Sequence, residues 1–245
     1  MKFEGVKGPS GPFQLLSFDA PDSINDCKVM SDADMGGFST ASLDFVPAST
    51  SASEPAHARF YGTISTKLPP NKPEVQRSGY AGFRTADRPA TIFGKSLWDI
   101  DMYTYLALRI RTPPAASSSW LVNVQTESLD PTDLHQHRLY ARRPGEWETV
   151  LIRWNDFVRT NHGLPVEPQA EMLRRKVRSV GLALTDRVPG PFELCVQRLW
   201  ATNDPSGTYH DPYNPAAVDG AGASSAKLQG GKLKNKRGES VGWSE

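Results

Sequence analysis

The chain has 245 residues, enough for one large domain or two small ones, and all-β folds often reach this length as one unit. Its formal net charge of +1 provides no overall field that would draw it to nucleic acid or to a membrane surface. No apolar run approaches the roughly 20 residues that span a bilayer, and two cysteines, Cys27 and Cys195, are too few for a disulfide framework or a zinc pattern.

Residues 1–12, ending in Gly8-Pro9-Ser10-Gly11-Pro12, read as a flexible arm. They do not read as a secretory signal, nor as an obvious transit peptide, because Met1 to Lys7 is short, carries Glu4 and has no arginine; a removed presequence or an atypical import signal stays open. Asp32-Ala33-Asp34-Met35-Gly36-Gly37 opens like a calcium loop. Gly36 and Leu43 stand where the fifth ligand and the closing glutamate belong, so a plain turn is expected.

Strand patterns follow. Arg59 to Leu68 and Trp120 to Thr126 are candidates, and Tyr105 to Arg111 sets Leu106, Leu108 and Ile110 against Arg109 and Arg111. Asp133, His135 and His137 alternate, so a strand gives them one face and Arg138 the other. A zinc ion would need a fourth ligand, and His162 is the one other obvious histidine. The two histidines are therefore expected to be metal-free and groove-lining, hydrogen-bonded within a polar stripe. Arg142 and Arg143 precede Pro144-Gly145, a turn signal, where guanidinium groups can meet a partner's carboxylates. His135, His137, Arg142 and Arg143 are thus the candidate partner-binding residues.

From Trp147 to Trp154 the alternation sends Val150, Ile152 and Trp154 towards a core, and Trp147 is expected there too. Pro168 to Val177 is the one helical candidate, with proline in a first-turn position. Val180, Leu182 and Leu184, then Phe192, Leu194 and Val196, alternate on either side of Pro189-Gly190-Pro191; Cys195 reads as a small buried residue. After Asn203 large apolar residues become scarce, and Lys227 to Arg237 carries only positive charge. The expected organisation is a domain over 13–204 and a disordered basic tail over 205–245.

Catalytic signatures are missing. There is no dinucleotide fingerprint, no phosphate loop and no Gly-x-Ser-x-Gly elbow. Glu127 and Glu148 remain as carboxylates whose separation the sequence does not give. Many short strands between turn formers predict an all-β, two-sheet sandwich, and no catalytic motif stands out within it.

Six stretches carry more: Ser31 to Ser39, Gly79 to Arg84, Asn123 to Ser128, Thr132 to Arg142, Pro144 to Asn161 and Gly181 to Asn203. Together they resemble the mitochondrial complex I intermediate-associated protein 30 family, in its fungal branch, from about Phe13 to Asn203. One departure is the loop Pro113 to Ser119, where the family has a tight Asp-Gly hairpin; a longer loop is expected. The resemblance implies a galactose-binding-like jelly roll with one short helix and long loops. It also implies a non-catalytic, cofactor-free protein of the mitochondrial matrix or the matrix face of the inner membrane, attached peripherally if at all. Its implied partners are assembly intermediates of NADH:ubiquinone oxidoreductase and other assembly factors. The alternative within the same fold is a carbohydrate-binding module, which would display a row of exposed aromatic rings.

Overall fold

The computed structural model describes residues 11–50, 54–92, 94–114, 119–128, 130, 132–210 and 218–219. The expected arm up to residue 10, the middle of the 113–119 loop and nearly all of the expected tail beyond residue 210 lie outside the described residues.

Among the described residues, alternating sequences become fifteen strands. The first eight are β1 (Phe13–Ser17), β2 (Cys27–Ser31), β3 (Thr40–Val46), β4 (His57–Ile64), β5 (Ala81–Thr85), β6 (Tyr105–Arg111), β7 (Trp120–Thr126) and β8 (Asp133–Arg138). The rest are β9 (Glu148–Arg153), β10 (Val158–Asn161), β11 (Leu164–Pro165), β12 (Val177–Leu184), β13 (Gly190–Thr202), β14 (Tyr209–His210) and β15 (Val218–Asp219). A six-stranded sheet runs β3-β4-β13-β6-β9, with β1 also on β13; a seven-stranded sheet runs β11-β10-β8-β7-β12-β5-β2. Every pairing within them is antiparallel, and β14 pairs with β15.

The two sheets enclose one main core, as the alternation requires. Phe60, Phe83, Trp120 and Phe192 meet there edge-on or tilted, with centroids 5.1–5.9 Å apart. Ile152 and Trp154 are buried and Val150 packs beside them, as expected. Trp147 is different: it is half-buried on the outside of the six-stranded sheet, edge-on to His57 at 5.1 Å and under the Arg111 guanidinium at 5.3 Å. It shares the odd parity of Leu151 and Arg153, so the alternation carried one residue before the strand sends it outward, opposite to Val150 and Ile152.

A register shift between Val196 and Arg198 resets the alternation along β13. Leu194 and Val196 point inward before it, Leu199 and Ala201 after it, and Trp200 is turned out. Residues after Asn203 then cover Trp200. Tyr209 is 4 % exposed and sits edge-on to Trp200 at 5.3 Å, with Arg198 over its ring at 4.0 Å. The expected boundary at 204/205 therefore falls too early, since the chain docks at least as far as Tyr209.

Helices among the described residues are four short 3-10 turns. The expected helix over Pro168 to Val177 is confined to the turn Arg174–Lys176. Gln169 shows why: its side-chain amide accepts from the Arg159 amide at 2.8 Å and donates to the Arg159 carbonyl at 3.1 Å, so it behaves as one more peptide unit on the edge of β10. That role holds the chain extended, and Met172 then folds onto the core.

Candidate functional site

Paired strand residues share a face. In the seven-stranded sheet Phe83, Leu182, Val122 and Val124 line the core. The opposite, outward face is read across the ladders as Lys28, Arg84, Gly181, Asn123, Gln136 and Val158. The adjoining row is Met30, Gly82, Ala183, Leu121 and Arg138. Small residues floor the middle and longer polar ones rise at either side. Gly181 is fixed by close approach, because a Cβ there would lie 2.3 Å from the Phe83 carbonyl oxygen.

Two neutral amides occupy the β7–β8 part of this face, with the cations Lys28, Arg84 and Arg138 around them. Thr160 Oγ1 donates to Gln136 Oε1 at 2.9 Å, and Gln136 Nε2 donates to Asn123 Oδ1 at 2.8 Å. The chain Thr160–Gln136–Asn123 crosses β10, β8 and β7. It presents half-exposed amides that combine donors and acceptors and carry no charge. Such a surface suits hydrogen bonding to another polypeptide. Tyr80 places an aromatic ring at one end of the face, beside Gly82; the described strand residues facing outward include no other.

The predicted candidates divide. His135 lies opposite Val124, so it points to the core side near the sheet edge, and it is 6 % exposed. Burial pushes its ring towards the neutral form; the Ala170 backbone lies near enough to favour charge but not in hydrogen-bond geometry. His137 is on the same side, half-buried between Phe157 at 5.6 Å and Tyr140 at 6.4 Å. Arg138 lies on the opposite face, paired with Leu121, as the alternation requires. Asp133 is taken up within its stripe by Asn161 at 3.0 Å and Arg159 at 2.6 Å, which hold its carboxyl below the usual carboxylate range. Among the described residues no three His, Cys, Asp or Glu side chains converge as metal ligands.

Arg142 and Arg143 are exposed on the turn before β9, away from both histidines' strand pairings. Their backbone amides donate to Glu148, 2.9–3.1 Å from its carboxylate oxygens. Glu148 is thereby spent on closing the turn. Glu127 belongs to the other sheet's margin, paired with Lys176 at 2.7 Å. The two carboxylates do not form an acid–base pair.

Asp32 is a buried acidic residue in the turn that the sequence leads one to expect. It accepts from Ser39 N at 2.8 Å, Ser39 Oγ at 2.8 Å, Gly79 N at 2.5 Å and Tyr80 N at 3.3 Å. Burial pushes its carboxyl up, but these donors outweigh it and leave the pKa lowered. A cation site needs converging oxygens; here N–H and O–H groups converge instead, so Asp32 ties two loops together. The close Gly37 backbone belongs to this knot, since a Cβ there would meet Asp32 Oδ1 at 2.4 Å.

A profile of the family described as complex I intermediate-associated protein 30 matches residues 16–196. The chain belongs to that family. The mitochondrial complex I intermediate-associated protein 30 of Neurospora crassa is 51 % identical over 98 % of this chain and 87 % of its own length. The Mus musculus protein of the same name is 26 % identical over 87 % of this chain, which spans 66 % of that relative. Among solved structures, the family 11 carbohydrate-binding module of a Clostridium thermocellum cellulase superposes with a TM-score of 0.54 at 14 % identity, covering 80 % of this chain and 96 % of the module. The same type of module in complex with a mixed-linked tetrasaccharide gives 0.53 at 13 % identity, covering 80 % and 97 %. At such identity the likeness establishes the β-sandwich fold and nothing about ligands. The matched span includes β7, β8 and β10, the strands that build the amide face.

Proposed function

We propose that the chain is a non-catalytic mitochondrial assembly factor that binds intermediates of respiratory complex I, using the outward face of its seven-stranded sheet. The observation that carries this reading is the 51 % identity, over nearly the whole chain, to a Neurospora crassa protein bearing that family's name. Two structural features support it. The carboxylates that hydrolytic chemistry would draw on, Asp32, Asp133 and Glu148, are committed to backbone and side-chain donors. The amides of Asn123 and Gln136 give this part of the face the mixed donor–acceptor character of a protein-recognition surface, and among the described residues it lacks the row of rings on which sugars stack. A standard interface of about 800 Å² per partner fits one face of such a sandwich. Arg142 and Arg143, exposed on a turn, steer encounter more than they set affinity. The relatives are named as mitochondrial, which supports work inside the organelle; on this reading the protein acts in the matrix or at the matrix face of the inner membrane, where complex I intermediates would be met.

The test is a deletion strain. Its mitochondria are expected to show less assembled complex I on blue-native gels stained by in-gel NADH oxidation, with partial subcomplexes, while the other respiratory complexes stay near normal. Unchanged complex I in that strain refutes the proposal.

A further inference from the structure

Next to β1 and the end of β5 lies a cavity of about 300 Å³, walled by Leu15, Leu16, Asp26, Thr85, Arg88 and Trp98. Arg88 is its unusual member. Its Nε and Nη2 are shielded from water and have no hydrogen-bond partner. Its guanidinium lies over the Trp98 ring, 4.9 Å from the centroid. Trp98 is itself held firmly, because its backbone exchanges hydrogen bonds of 2.8 and 3.0 Å with Val177.

A shielded guanidinium with idle N–H groups is costly, and folded proteins keep such groups only where a partner repays them. The idle pair is informative. Nε–H and the adjacent Nη2–H form the edge that grips a carboxylate through two parallel bonds. The same molecule shows this edge in use nearby: Arg178 Nε and Nη2 bind Asp87 Oδ1 and Oδ2 at 3.0 and 2.6 Å. Asp87 is occupied there, with Arg84 as its second partner at 2.9 Å, so it does not serve its neighbour Arg88. Asp26, the other acidic residue of the wall, is exposed, and its backbone carbonyl is bound by the Ala86 amide at 2.6 Å. The charged groups around the cavity are thus Arg84, Arg88 and Arg178 against Asp26 and Asp87, an excess of one positive charge by count.

We propose that this cavity is a carboxylate-binding site, with the Nε–Nη2 edge of Arg88 as the anchor and Trp98 as the platform that orients it. The guanidinium swings off the indole face to admit the ligand, exchanging a cation–π contact for a charge-assisted bidentate pair. The carboxylate comes from a small organic acid or from an acidic side chain of a docked protein. The second source rests on the assembly reading above; the first does not.

The test uses the full chain, labelled with ¹⁵N, and follows the Arg88 Nε–H resonance, assigned by its disappearance in R88Q. Glutarate is the probe and neutral glutaramide the control. The expected result is a saturable downfield shift with glutarate alone, and an affinity, read by calorimetry on both proteins, at least about tenfold lower in R88Q. R88Q should melt close to the parent, because it removes two shielded N–H groups without partners together with the contact to Trp98. In the second arm, R88Q replaces the parent protein in cells and complex I is read on native gels. A glutarate shift with normal complex I assigns the site to a small acid. Reduced complex I with no glutarate shift and an unchanged melt assigns it to a partner's acidic side chain. No shift together with normal complex I overturns the proposal, as does a markedly lowered melt in R88Q, which would make Arg88 a structural prop. Normal complex I in the full deletion strain sinks the assembly reading but leaves the glutarate arm intact.

Discussion

Asp32 is 1 % exposed, and its carboxylate collects donors from Ser39, Gly79 and Tyr80. Asp32→Asn would turn an amide N–H₂ towards groups that are all donors. The cost is expected to be about 2–3 kcal/mol or more, since hydrogen bonds to charged groups are the strong ones and buried donors would lose their acceptor. Chemical denaturation of the variant checks this; a midpoint matching the parent would show that the knot is dispensable. His135 offers a test of sign. Burial lowers its folded pKa below the ordinary 6.5. The unfolded chain then takes up a proton near pH 6.5 that the folded chain resists. The stability associated with a neutral His135 is therefore complete above that pH and declines as pH falls towards the folded value. In His135→Leu the loss of stability between about pH 7 and pH 5 should be shallower than in the parent. Thermal melts across that window decide the matter, and parallel profiles would mean that His135 titrates normally.

At the scale of elements, periodicity was a reliable guide where one face of a strand met the core. Tyr105–Arg111 and Trp120–Thr126 form strands with the bounds their alternation suggested. Periodicity failed where a single side chain had a special task. Gln169 extends the edge of β10, which no helix propensity at Pro168 could reveal. Trp147 is a different case: it shares the odd parity of Leu151 and Arg153, so its outward direction obeys the alternation, and only its large apolar ring suggested the core. The docked C-terminal segment was hidden for another reason: Ser206 to His210 is polar and short, and only Tyr209 among its residues has a large ring to bury. That ring closes a small second cluster of Ala107, Leu151 and Trp200, and its hydroxyl donates to Gln14 at 3.0 Å. Tyr209→Ala should cost about 1.5–3 kcal/mol, the usual worth of burying a large apolar side chain. It should also brighten the solvent-exposed tryptophan signal as Trp200 is uncovered. An unchanged denaturation midpoint would mean that the segment contributes no stability.

For the molecule as a whole, the sandwich was legible in the strand pattern, while the candidate site was only half legible. Alternation correctly separated His137 from Arg138, but sequence could not tell which side of β8 faces the core. The pairing of His135 with Val124 and of Gln136 with Asn123 settles that, and it moves the outward surface from the histidines to the amides. A sheet's sidedness is set by what the other sheet covers, which is a long-range fact. The last prediction follows from this sidedness. Asn123 and Gln136 are half-exposed and bonded chiefly along their own face, so the double replacement Asn123→Ala with Gln136→Ala removes recognition groups without opening the core. The lost amide–amide and Thr160 bonds are worth about 1 kcal/mol each at most, since water competes for them in the parent. The double variant should therefore fold cooperatively, with its melting temperature lowered by a few degrees. In cells it should nonetheless lower assembled complex I towards the level of the deletion strain. A fully folded double variant that sustains normal complex I would remove the recognition face from this sheet and leave the outward side of the six-stranded sheet, with Arg59, Glu193 and Trp147, as the surface to test.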